Sequence, residues 1–219
     1  MCGRFTMTAE KEDIMSEFEI SLCDIDFKPA YNIAPTQEVI VLLKEKNFQL
    51  FRWGLIPSWA KEINSKYHMI NARAESLTEK QAYRSLVKEK RCIIIGDGFY
   101  EWQKRGNKKI PFYIRLKSGG IFGFAGLWDK WVSPDKEKII KSCTIITTEA
   151  NDFMKIIHNR MPAILTGMNI FEWLEGGEIT GLKEGNKDEF YAYPVTDYVN
   201  SPKNNSPECI KPLERNVDL

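Results

Sequence analysis

The stretch Cys92-Ile93-Ile94-Ile95 most restricts what this chain can fold into. It carries no polar side chain and breaks at Gly96-Asp97-Gly98. A strand that is apolar at every position has no face to give to water, so it must be covered on both sides. Around it the chain reads as a series of short strands. Residues 38–44 and 48–53 flank the hairpin-sized Glu45-Lys46-Asn47, and residues 111–116 and 121–127 flank Lys117-Ser118-Gly119-Gly120. Further strands are predicted at 139–148, where Cys143 is a core thiol, and at 189–195. The predicted helices are short: residues 8–19, 149–157 stopped by Pro162, and 168–175 closed by Gly176-Gly177. Thr78 and Gln81 form a capping-box pattern that predicts another to about Lys90, with Ala82, Tyr83, Leu86 and Val87 buried. Residues 28–37 read as extended and turn-rich, 128–138 as a charged surface loop, and 181–188 as a polar loop. The proline- and asparagine-rich tail reads as an extended segment laid over the surface. Roughly eight or nine strands with three or four short helices make an α+β or mostly-β single domain, residues 1–219.

Composition excludes several function classes. A net charge of +1 gives no global attraction to polyanions or membranes, so any such site must be a local patch. The five cysteines, Cys2, Cys23, Cys92, Cys143 and Cys209, are odd in number and form no C-x-x-C pair. With His68 and His158 the only histidines, neither a disulfide framework nor a zinc site is expected, and no cofactor. The N-terminus lacks a basic-then-apolar signal pattern, and no apolar run approaches the ~18 residues that span a bilayer. A soluble, cytoplasmic monomer without a membrane partner is expected.

Reactive chemistry concentrates at Met1-Cys2-Gly3-Arg4-Phe5-Thr6. Once Met1 is trimmed, Cys2 presents an α-amine and a thiol on one residue, a pair suited to capturing an aldehyde. The amine condenses to a Schiff base and the sulfur closes a five-membered thiazolidine. Further along, Phe99-Tyr100-Glu101-Trp102 sets a carboxylate among three aromatic rings. Desolvated there, Glu101 would serve as a general acid. If the strand alternates strictly, Tyr100 and Trp102 take one face and Glu101 points to solvent. Asn71-Ala72-Arg73-Ala74-Glu75-Ser76 is either hydrogen-bonded scaffolding or a ligand surface, and spacing alone favours scaffolding. Trp53 and Trp59 flank Gly54-Leu55-Ile56-Pro57-Ser58, as core rings or as an aromatic loop beside a concave surface. His158 falls at a helix C-terminus, where the macrodipole favours imidazolium, although a structural role is the commoner fate of such a residue.

Taken together, Cys2-Gly3-Arg4-Phe5, Asn32-Ile33-Ala34-Pro35-Thr36-Gln37, Trp53-Gly54-Leu55-Ile56-Pro57, Asn71-Ala72-Arg73-Ala74-Glu75, Asp97-Gly98-Phe99-Tyr100-Glu101-Trp102, Thr147-Thr148-Glu149-Ala150-Asn151 and His158-Asn159-Arg160-Met161-Pro162 resemble, in this order, the SOS response-associated peptidase (SRAP) family. These are abasic-site processing proteins of bacteria and of eukaryotic replication forks. The resemblance implies a mixed, barrel-like β core, a groove for single-stranded DNA, and a covalent link from Cys2 to the ring-opened sugar of an abasic nucleotide. It implies that Asn71 positions the sugar or Cys2, that Glu101 acts as acid and base, and that His158 protonates the sugar ring oxygen. Arg4 and Arg73 would hold flanking phosphates, and Pro35 and Trp59 would brace the exposed bases. The family often has Asp where Asn159 stands, and Pro-Ala in place of Ile95-Gly96. Two other functions fit the same residues: a cysteine peptidase pairing Cys2 with His158, and a non-catalytic single-strand binding module.

Overall fold

The computed structural model describes residues 2–21, 23–63, 69–183 and 190–213. In chain order the elements are β1 (Arg4–Met7), α1 (Lys11–Glu17), β2 (Ala30–Ile33), β3 (Glu38–Leu42), β4 (Phe48–Trp53) and β5 (Asn71–Arg73). Then follow α2 (Leu86–Glu89), β6 (Arg91–Gly96), β7 (Gly98–Arg105), β8 (Lys108–Leu116), β9 (Phe122–Val132) and β10 (Ile139–Glu149). The last are α3 (Asp152–Lys155), β11 (Arg160–Pro162), β12 (Ile164–Leu165), α4 (Met168–Leu174) and β13 (Phe190–Pro194).

Five strands close on themselves in the order β10-β4-β3-β6-β9 and back to β10. The β4–β10 pair is parallel and the other four pairs are antiparallel, giving the mixed barrel core of an α+β fold. A barrel this narrow is filled by side chains and leaves no room for a ligand. The apolar run lies in β6 between β3 and β9, with Ile93, Ile94 and Ile95 fully buried. Closure depends on Gly126 of β9, which faces β6 on one side and β10 on the other. A Cβ there would stand 2.2 Å from Ile94 Cδ1 and 2.9 Å from the Thr144 carbonyl oxygen.

A second sheet, ordered β13-β8-β7-β1-β2, covers one side of the barrel. Phe5 of β1 fastens the two, its ring 5.1 Å from that of Trp53 and 5.3 Å from that of Phe124. Asp97, between β6 and β7, accepts hydrogen bonds from Thr6 Oγ1 (2.5 Å), Thr8 N (2.6 Å) and Thr8 Oγ1 (2.6 Å), which fixes β1 against the chain reversal.

The outer face of this sheet is also covered. Val199 and Cys209, in the 3-10 turns Asp197–Asn200 and Pro207–Ile210, are fully buried with Tyr100, Tyr113 and Val195. Up to residue 213 the tail therefore lies on the surface as 3-10 turns anchored by these buried side chains, where its prolines suggest an extended segment. Asn32 holds it: the buried amide Nδ2 donates to the carbonyls of Val199 (3.1 Å), Ser201 (3.0 Å) and Asn204 (2.8 Å), while Oδ1 accepts from Arg4 (2.8 Å). Asn32→Ala strands these groups, and we expect urea unfolding to register a loss of about 2–3 kcal/mol.

Other departures have physical reasons. The capping box at Thr78 does not produce a long helix; residues 77–85 are turns, and α2 is one turn set by packing Tyr83, Leu86 and Val87 onto the barrel. Residues 128–132, read as loop for their charge, complete β9, because buried Asp129 is satisfied by Lys90 (2.6 Å) and Ser58 N (2.7 Å). Residues 30–33 pair with β1 as β2, and residues 160–162 form the edge strand β11, where Pro162 costs no ladder bond. Residues 181–183 end a 3-10 turn, and the rest of the polar loop predicted at 181–188 lies outside the described residues. Among the described residues no helix is long and apolar enough to cross a membrane.

Candidate functional site

Strand β1 delivers the N-terminus to β7. Arg4 lies opposite Tyr100 and Phe5 opposite Phe99, so the same register brings Gly3 beside Glu101. Strict alternation would send Cys2 to the outer face with Arg4. Instead Cys2 joins the inner core that holds Phe5; it is fully buried, with Sγ 3.7 Å from the Arg4 carbonyl oxygen. Met1 lies outside the described residues.

Asn71 opens β5, which runs parallel to β10 with Asn71 opposite Ile145. Its Nδ2 donates to the Cys2 carbonyl at 2.8 Å, a contact between residues far apart in sequence. Asn71 Oδ1 is buried and meets no hydrogen-bond partner among the described residues. A buried acceptor left this way is uncommon and points to a donor supplied by something bound. Glu101 of β7 is 4% exposed, so the solvent-facing alternative does not hold. Its Oε1 accepts from Trp102 N at 3.3 Å. The Cys2 thiol is pushed far above the ordinary thiol range, first by burial and then by the negative charge of Glu101. The thiol is therefore protonated near neutrality, with a carboxylate in electrostatic reach.

His158 follows α3, and its Nδ1 lies 3.0 Å from the Arg160 backbone nitrogen and 3.3 Å from the Arg160 carbonyl oxygen, so the ring is held by the Arg160 backbone. Asn151 caps α3 by accepting from Met154 N, and Gln103 Nε2 of β7 donates to the Ile156 carbonyl at 2.7 Å. The helix leading to His158 is thus tied to the strand that carries Glu101. Arg160 makes a two-pronged pair with Glu75 (2.7 and 3.1 Å) and donates to the Thr147 carbonyl at 2.6 Å, joining β11, β10 and the turn after β5. Its hydrogen bond is the main cause that holds the Glu75 carboxyl below its ordinary pKa. This clamp received no role in the sequence reading, although both residues sit inside its motifs.

The other candidates surround this centre differently. Arg4 is half-buried and donates to Asn32 Oδ1, to the Val199 carbonyl (2.8 Å) and to the Asn200 carbonyl (3.1 Å), which ties the Cys2 strand to the tail. Arg73 is exposed. Pro35 occupies the first corner of a turn whose second corner, Thr36, has φ +76°, unusual for a β-branched residue. That turn is pinned by Thr36 N to the Trp53 carbonyl (2.8 Å) and by Ala34 N to Gln37 Oε1 (2.9 Å). Trp53 is core, whereas Trp59 is 58% exposed on a loop held by Asp129 and by Trp131 Nε1 donating to the Ala60 carbonyl at 2.7 Å. Among the described residues no group of three or more His, Cys, Asp or Glu is placed to hold a metal.

Comparison with known proteins adds an independent view. The family described as SOS response associated peptidase (SRAP) matches residues 1–202. Abasic site processing protein YoqW of Bacillus subtilis (strain 168) is 46% identical over 223 residues, 96% of this chain and 99% of the relative. Abasic site processing protein HMCES of Xenopus tropicalis is 37% identical over 84% of this chain and 66% of its own length. A crystal structure of a protein from Bacteroides thetaiotaomicron superposes with a TM-score of 0.88 at 28% identity, covering 97% of this chain and all of that one.

Proposed function

This chain belongs to the SOS response associated peptidase (SRAP) family, and from that membership we propose that it processes abasic sites by capturing them covalently through Cys2. The observation that carries the reading is the meeting of Cys2, Asn71 and Glu101 at one buried point. The substrate is the ring-opened sugar of an abasic nucleotide in single-stranded DNA, and residues 1–219 act as one monomeric SRAP-like domain.

With Met1 removed, the α-amine of Cys2 adds to C1′ and expels water, leaving an imine. Sγ then bonds to the imine carbon, while the thiol proton passes by way of Glu101 to the imine nitrogen. The product is a thiazolidine, and the balance is protein plus DNA minus one water. The order follows from the raised thiol pKa: the amine acts first, and sulfur waits for a base. Asn71 fixes the Cys2 carbonyl and offers Oδ1 to a sugar hydroxyl, and His158 protonates the ring oxygen to favour the open aldehyde. Arg4 and Arg73 hold flanking phosphates, while Pro35 and Trp59 brace the neighbouring bases. Self-removal of Met1 and lyase cleavage from the imine are further activities for which the same groups are at hand.

Intact-mass measurement after mixing the protein with an oligonucleotide carrying one abasic nucleotide tests the proposal. The expected adduct weighs the chain without Met1 plus the DNA minus one water, and an undamaged strand gives none. Equal affinity for both strands with no adduct would leave the non-catalytic binding module standing in its place.

A further inference from the structure

Strand β5 and the turn that follows it touch both ends of the candidate site. At the front of this segment Asn71 donates to the Cys2 carbonyl (2.8 Å). At its end, in the 3-10 turn Ala74–Ser76, Glu75 accepts from both terminal nitrogens of Arg160 (2.7 and 3.1 Å). Arg160 in turn holds the His158 ring, whose Nδ1 lies 3.0 Å from its backbone nitrogen and 3.3 Å from its carbonyl oxygen. Residues 71–75 are thus a spacer with Cys2 at one end and, through Arg160, His158 at the other.

The backbone of Arg160 needs such support. β11 spans only Arg160–Pro162, and Arg160 is its first residue, opposite Glu149 of β10. A ladder this short opens from its ends, and Pro162 adds no donor to it. The side chain supplies what the ladder lacks: it also donates to the Thr147 carbonyl (2.6 Å) and to Thr147 Oγ1 (3.2 Å), and so crosses from β11 over β10 to the turn after β5. It is 13% exposed, and its Nε is buried without a hydrogen-bond partner among the described residues. A cation this dry depends on its carboxylate. Without Glu75 it turns toward water and draws the end of β11 with it. The Arg160 hydrogen bond first, and more weakly the charge of Arg73, hold the Glu75 carboxyl below its ordinary pKa, so the pair stays ionised across the neutral range.

We propose that Glu75 is a positioning residue for capture: through Arg160 it sets the His158 ring against the sugar ring oxygen, at a distance from Cys2 fixed by residues 71–75. This rests on the function proposed above, in which His158 opens the abasic sugar. In that step one proton passes from His158 to the ring oxygen as its bond to C1′ breaks, and the C1′ hydroxyl loses its own proton as the carbonyl forms. Proton transfer works only at hydrogen-bond distance, so a small drift of the ring slows opening sharply.

The test uses two strands: one with a single abasic nucleotide, and one with an acyclic aldehyde in its place, lacking the 4′ hydroxyl that closes the sugar ring. Single-turnover capture is followed by intact mass. Glu75→Ala is expected to capture the abasic strand about 10- to 100-fold more slowly than wild type, and the acyclic aldehyde at the wild-type rate. Glu75→Gln, which keeps an oxygen for the guanidinium, should recover part of the loss. His158→Ala should show the same preference for the acyclic strand, and adding Glu75→Ala to it should slow capture no further, as expected of two residues on one path. Affinity for an undamaged strand should not fall, since the change removes a negative charge beside Arg73 and Arg160. A slowing equal on both strands would make Glu75 merely structural, and additive losses in the double variant would likewise overturn the inference. A Glu75→Ala protein that keeps pace with wild type on the abasic strand removes the positioning role and leaves covalent capture standing. If wild type captures neither strand, covalent capture is itself wrong and the positioning role falls with it.

Discussion

Cys2→Ala is expected to reduce the denaturation-resistant adduct with an abasic strand to background, while leaving affinity for an undamaged strand close to wild type. Alanine at the second position retains the α-amine, so an imine still forms, and borohydride added during the reaction should trap it. The thiazolidine needs the sulfur, and without it the imine hydrolyses during denaturation. Wild type should thus give a band with or without reductant, and the variant a band only with it. The substitution removes a single fully buried sulfur, which costs on the order of 1 kcal/mol and will not unfold the chain. A reductant-independent adduct from Cys2→Ala would sink the mechanism. Loss of both the band and the trapped imine would mean that the amine, too, has been misplaced.

That diagnosis was open to inspection of the sequence at one residue and closed at its partners. Cys2 declares its chemistry through bond connectivity alone, because amine and thiol share a residue. Asn71 declares nothing: its contact spans 69 positions and exists only because β5 runs beside β10. Glu101 is instructive for a different reason. The alternation argument correctly separates it from Tyr100 and Trp102, but it treats the opposite face as wet. Here one face of the sheet lies on the barrel and the other lies under the tail, so both are dry. The same tail was legible as irregular from its prolines and asparagines, yet its packing depends on Asn32, far away in the chain.

The fold divides along similar lines. β6 could be read from four residues because burial on both faces leaves a signature that no polar substitution interrupts. β9 was cut short because Asp129 and Lys130 look like loop residues until Ser58 and Lys90 are seen to satisfy the carboxylate. The expected helix up to Lys90 failed because a capping-box pattern contributes about 1 kcal/mol, less than the packing that bends residues 77–85 along the barrel.

Glu101→Gln addresses the second chemical step. In wild type the Cys2 thiol is held protonated by burial and then by the Glu101 charge. Replacing the carboxylate removes the second cause, so the thiol pKa falls toward its ordinary value while burial still holds it high. If Glu101 acted only as an unfavourable charge, the variant would capture faster. If it is the base that takes the thiol proton, capture should slow by roughly 10²–10⁴-fold. The pH profile separates these cases with a definite sign. In wild type Glu101 takes the proton as sulfur bonds, so the rate does not wait for free thiolate. The variant must wait for thiolate, so its rate should climb about tenfold per pH unit through the neutral and mildly alkaline range, narrowing the gap to wild type as pH rises. Single-turnover capture followed by intact mass across that range reads both quantities. A glutamine variant that captures at the wild-type rate, or whose deficit does not shrink with rising pH, would remove Glu101 from the proton path and leave it as packing beside Cys2.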